Sequence, residues 1–121
     1  MERASSRANS WNTDQHRLDR IFLALADPSR RGMVEDLSKG PATVKQLAEP
    51  AGMRLPSAVK HLKLLEDVGI VISQKSGRAR TYSMRPEAFS AINAWVRERE
   101  LALNAAFDRL IAAMNEFPEE G

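Results

Sequence analysis

Between Thr43 and Gly69 the sequence writes two short helices joined by a tight turn that contains a glycine. Thr43-Val44-Lys45-Gln46 has the form of a capping box, in which the Thr hydroxyl accepts from the amide three residues on and the Gln side chain reaches back. It opens a helix with Val44, Leu47 and Ala48 inward, and Ala51-Gly52 breaks that helix. Pro56 starts the next one, because its fixed φ suits the first helical turn and its missing N–H costs nothing there. Val59, Leu62 and Leu65 are expected on the inner side, and Gly69 is the expected C-terminal stop. Two short helices about such a turn make a helix-turn-helix.

The flanking segments build a domain around this unit. Asn12 with Gln15 resembles a capping box, and Leu18, Ile21, Phe22 and Leu25 recur at helical spacing. Asp27-Pro28 reads as an N-cap followed by proline at the first helical position. The helix it opens carries Met33, Val34 and Leu37 on one face and stops before Gly40-Pro41. After Gly69 the period changes. Ile70-Val71-Ile72 begins a strand, Lys75-Ser76-Gly77-Arg78 is a hairpin tip, and Thr81 to Met84 supplies the returning strand. From Pro86 a helical pattern runs to about Asn115, with Phe89, Ile92, Val96, Leu103, Phe107, Leu110 and Met114 three, four or seven apart. Such a helix is ~45 Å long, more than a small domain can cover, so its distal half calls for a second copy of the chain. The expected fold is mostly α with a β-hairpin wing, a winged helix-turn-helix of order α-α-α-α-β-β-α, dimeric. Residues 12–115 form this domain, residues 1–11 a disordered arm and residues 116–121 a flexible tail.

Charge separates along the chain although the net is only +2. From Arg54 to Arg85 there are seven Lys or Arg against two Asp or Glu, a local balance of +5, whereas residues 86–121 hold three against seven, or −4. A basic middle beside an acidic tail suits a chain with one face turned to a polyanion. The outer face of helix 56–68 presents Ser57, Lys60, His61 and Leu64, with Lys63 at its edge and Arg54 just before it. The wing, residues 70–84, adds Lys75, Arg78 and Arg80. Lysines, arginines and hydroxyls are the donors that hold phosphates and read the acceptor-rich edge of guanine, and a helix fits the major groove.

Taken together, these stretches resemble the ArsR-type winged helix-turn-helix regulators over residues Ile21 to Trp95. Ala24-Leu25-Ala26-Asp27-Pro28-Ser29-Arg30-Arg31 carries the resemblance, with Thr43-Val44-Lys45-Gln46-Leu47-Ala48, Lys60-His61-Leu62-Lys63-Leu64-Leu65-Glu66, Gly69-Ile70-Val71 and Gly77-Arg78-Ala79-Arg80-Thr81-Tyr82. The resemblance implies a homodimer built on the first and last helices, here through Leu18, Phe22, Leu103, Phe107, Leu110 and Met114. It also implies a double-stranded operator of two-fold symmetry, with half-sites one helical turn apart. The departures matter as much. Members that sense arsenic or soft metals carry cysteines on the helix that here reads Val44 to Glu49, and this chain has no cysteine. Zinc- and nickel-sensing members use His and carboxylates on the last helix, but no His follows His61. Val59 stands where many members have serine. No metal and no cofactor is therefore expected, and a site on Asp14 and His16 is the weak exception.

Other functions fit less well. The sequence has no nucleophile–base pair, no phosphate-cradling glycine loop and no metal-ligand cluster, so it does not read as an enzyme. A reader of single-stranded RNA would show aromatics for stacking, and the basic segment contains only Tyr82. A module for a small-molecule effector or a protein partner is the alternative, although Trp95, Phe89 and Phe22 read as core sooner than as a ligand pocket. No apolar run has the length of a membrane span and Met1 to Trp11 lacks the apolar centre of a signal peptide, so a cytoplasmic protein is expected. The expectation is thus a DNA-binding regulator that represses by occluding promoter DNA.

Overall fold

A computed structural model of the chain describes residues 15–117. The expected arm over 1–11, the Asn12 cap and Asp14 lie outside them, as does most of the expected tail. Within the single domain expected over 12–115, the described residues form two units, 15–88 and 89–117.

The first unit begins with helix α1, residues 15–26, whose Ile21 and Ala24 are buried while Leu18 and Leu25 are half-covered. Helix α2, Pro28–Leu37, follows without a loop. Its N-cap is Asp27, which accepts from the Arg30 amide at 3.0 Å, and Pro28 occupies the first turn. Met33, Val34 and Leu37 are its buried face, as the spacing predicts.

A short strand, β1 at Ala42–Thr43, comes next and was not legible in the sequence. It pairs antiparallel with the returning wing strand, Ala42 opposite Tyr82 and Thr43 opposite Thr81. Two residues are too few to show an alternating pattern. Thr43 is at once the end of this strand and the N-cap of helix α3, Val44–Ala48. Both halves of the capping box form, Gln46 N to Thr43 Oγ1 at 3.2 Å and Thr43 N to Gln46 Oε1 at 2.9 Å. The sheet thereby fixes where α3 begins.

Helix α4 spans Leu55–Asp67, one residue earlier than expected at each end. Gly69 ends it at φ +85°, with the Ile70 amide donating to Leu65 O at 2.9 Å. That is the left-handed stop glycine supplies without strain. The wing is a hairpin of β2, Val71–Ser76, and β3, Ala79–Met84. Ser76 pairs with Ala79, so Lys75 and Ser76 belong to the strand and only Gly77 and Arg78 form the turn. The sheet order is β1-β3-β2. Leu47, Leu62, Leu65, Ile70 and Val71 are almost fully buried at the centre of the unit. Each such side chain contributes about 1.5–3 kcal/mol relative to exposure.

The second unit is helix α5, Ser90–Glu116. It starts four residues later than expected, because Pro86 to Phe89 form a turn in which Ala88 N donates to Arg85 O at 3.0 Å. At 27 residues it is about 40 Å long. None of its residues is buried.

Candidate nucleic-acid interface

Helix α4 presents its side chains according to what its core face demands. Ala58, Leu62 and Leu65 are fully buried, four and three residues apart, and set that face. The sequence reading put Val59 inward, but Val59 is 45% exposed. Val59, Leu62 and Leu65 also recur at helical spacing, and hydrophobicity favours valine over its alanine neighbour. At the contact the smaller Ala58 takes the inner position.

The outer positions hold Ser57, Lys60, Lys63 and Leu64, all exposed. Arg54 is the N-cap residue and makes no side-chain capping bond, so its guanidinium is not used to close the helix. His61, expected on the same face, is half-buried instead. Its Nδ1 lies 3.4 Å from Arg30 Nη1. A guanidinium can only donate, so Nδ1 accepts and Nε2–H is the edge left to act as a donor.

Arg30 is the residue sequence reasoning did not single out. Its Nε donates to Ala24 O at 2.7 Å and its Nη2 to Leu23 O at 3.2 Å. Arg31 does the same one step on, donating to Leu25 O at 2.8 Å and Ala26 O at 3.0 Å. Both satisfy carbonyls orphaned at the end of α1 and set positive charge at its negative end. The Arg30 amide on the Asp27 carboxylate holds that carboxyl below its ordinary pKa, with the Arg30 guanidinium adding to the effect. One arginine thus ties α1, the cap of α2 and α4 together. The available signal was the Arg-Arg pair just after a helix end.

The wing is built to reach. Gly77 takes φ +62° in its two-residue turn, and Lys75, Arg78 and Arg80 are exposed around it. Lys75 pairs directly with Arg80 across the hairpin. Like charges opposite one another are unfavourable in a free sheet, and a polyanion relieves them. Arg80 is also held: its Nη1 donates to Ser73 Oγ at 2.9 Å, and Ser73 Oγ donates to Glu66 Oε2 at 2.8 Å. That chain runs from the wing to α4 and fixes the two elements together. Below it Tyr82 is buried, which raises its phenol pKa, with Glu66 adding.

Residues 25–74 match the model of a helix-turn-helix domain. The chain is 36% identical over 74 residues to the HTH-type transcriptional regulator Rv2034 of Mycobacterium tuberculosis, covering 61% of this chain and 69% of that protein. It is 35% identical over 65 residues to a probable mercury resistance operon repressor of Streptomyces lividans, covering 54% of this chain and 52% of that one. The crystal structure of an ArsR family transcriptional regulator, RHA00566, superposes with a TM-score of 0.70 at 46% identity, over 74% of this chain and 93% of that chain. This chain belongs to the ArsR family.

Family, fold and cation distribution make this ArsR protein a DNA-binding transcriptional regulator. Its helix α3 carries no cysteine, and no group of three potential metal ligands occurs among the described residues. His16 lines a cleft with Arg17, Arg20 and Arg85 and with the carboxylates Glu66 and Asp67, and Asp14 is outside the described residues. Among the described residues no helix is long and apolar enough to cross a membrane.

Proposed function

We propose that this ArsR-family protein is a homodimeric repressor that occupies a two-fold-symmetric DNA operator with α4 and the wing, and so excludes polymerase. The observation that carries this reading is the set of exposed cations, Lys60 and Lys63 on α4 with Lys75, Arg78 and Arg80 on the wing, all on one unit with a shared core. Lys60, Lys63, Arg78 and Arg80 neutralise phosphates. Ser57, Arg54 and the Nε2 edge of His61 supply register and base contact. The S. lividans relative, named as a repressor, supports the repression in this reading.

The dimer rests on α5. Leu103, Phe107, Leu110 and Met114 are all exposed and lie along one stripe of that helix. A stripe of this kind is covered when a second copy brings its own, and the first and last helices, with Leu18 and Phe22, are the elements that would meet. Half-sites about one DNA turn apart follow from such a dimer.

Selection from a random duplex pool at roughly physiological salt tests the reading. A two-fold-symmetric motif bound with a steep salt dependence is expected. A folded protein that recovers no motif would overturn it.

A further inference from the structure

We infer that Val59 is a specificity-determining residue that reads the 5-methyl group of a thymine in each half-site of the operator. This deepens the DNA-binding reading and rests on it. Ala58 takes the core position and turns Val59 out, so its isopropyl group stands on the surface of α4 beside Lys60 and one helical turn before Lys63. Leu55, four residues earlier and half exposed, is its neighbour on the same side of the helix. The first turns of a recognition helix are the part that reaches base edges.

A single exposed valine is ordinary on a protein surface. This one differs in its setting, a short apolar strip bordered by the lysines that would hold the phosphates. Among the groups displayed in the major groove, the C5 methyl of thymine is the apolar one; the others are hydrogen-bond donors and acceptors. Valine placed against a G·C pair would cover those polar groups without bonding them, which is unfavourable. Valine placed against thymine buries methyl on methyl. Discrimination here therefore combines a favourable contact with the right pair and a penalty against the wrong one. Serine at this position could accept or donate a hydrogen bond, and would impose a different preference.

Uracil provides the test, since it pairs with adenine as thymine does but lacks the methyl. Each thymine of the selected operator is replaced in turn by uracil, and affinity is measured for the unaltered protein. One position per half-site is expected to weaken binding about four-fold, the worth of one buried methyl. Replacing it in both half-sites should give roughly fifteen-fold. Val59→Ser should bind the thymine and uracil operators alike, whereas Lys60→Ala should weaken both equally and keep their ratio. Indifference of the unaltered protein to uracil at every position would overturn the inference while leaving DNA binding intact, and it involves no protein variant that could misfold. A thymine-to-uracil ratio unchanged by Val59→Ser would overturn it too. Absence of duplex binding altogether would remove the functional reading, and this inference with it.

Discussion

Helices α4 and α5 are both amphipathic in sequence, yet the fold treats them differently. The 13 residues of α4 include three that are fully buried, while the 27 of α5 include none. The shorter helix is held by its neighbours: Ala58, Leu62 and Leu65 in the core, Arg30 against His61, and Glu66 reaching the wing through Ser73. The longer helix has apolar residues with nothing of the same unit to bury them. An apolar pattern in sequence therefore has two meanings. It marks a core in one helix and a face left exposed in the other, and only packing tells them apart.

The strongest challenge to that contrast is to charge the unfilled stripe. Phe107→Asp with Leu110→Asp should raise the dimer dissociation constant by a factor on the order of 1,000, as loss of two interface anchors would. Light scattering should then report monomers, and operator binding should fall with the second half-site. Thermal unfolding of residues 15–88 should be little altered. A double variant that remains dimeric would show that α5 is not the interface.

The converse change leaves α5 intact and hollows the core under α4. Leu62→Ala should cost about 3 kcal/mol in a denaturant titration, through lost burial and the cavity left behind. An equal truncation on α5, Leu103→Ala, should cost the monomer little and act through the dimer, so its effect should depend on protein concentration. If both substitutions shifted unfolding alike at every concentration, the two helices would not differ in the way described.

Much of the first unit could be read from local chemistry. Asp27-Pro28, the Thr43–Gln46 box, Gly69 and Gly77 each act within a few residues, so their roles survive without knowledge of the fold. What escaped depended on neighbours distant in sequence. Strand β1 exists only because β3 is there to pair with it. The exchange of Ala58 for Val59 at the inner position depends on how closely α4 is packed. Arg30 gains its role from carbonyls six and seven residues earlier and a histidine 31 residues later. The outward cations were legible as a set, but the tethering of Arg80 and the turning of His61 were not.

Within the interface itself, the wing can be separated from α4. Arg78→Ala with Arg80→Ala should reduce the slope of log affinity against log salt by about 1.8, if each arginine neutralises one phosphate. Affinity should fall across all sequences while the recovered motif stays the same, because backbone contacts carry no sequence information. An unchanged slope would take the wing out of the interface and leave α4 as its sole reader.

The smallest expected effect compares how helices of unequal length are closed. Helix α3 has only five residues, and its first amides are satisfied by Thr43 and Gln46. Helix α5 has no side-chain cap at its N-terminus, and its many internal bonds dilute the loss of any one. Thr43→Ala should therefore destabilise the first unit by about 1 kcal/mol, the usual worth of an N-cap hydroxyl. Ser90→Ala, at the first residue of α5, should stay within about 0.5 kcal/mol of the parent. Thr43 also ends β1, opposite Thr81, so its loss should loosen the join between α3 and the sheet. Amide exchange should then quicken at Gln46 and Leu47 and remain slow at Leu62 and Leu65. If exchange rose uniformly across the unit instead, α3 and α4 would unfold as one body, and the capping box would be a property of the whole core.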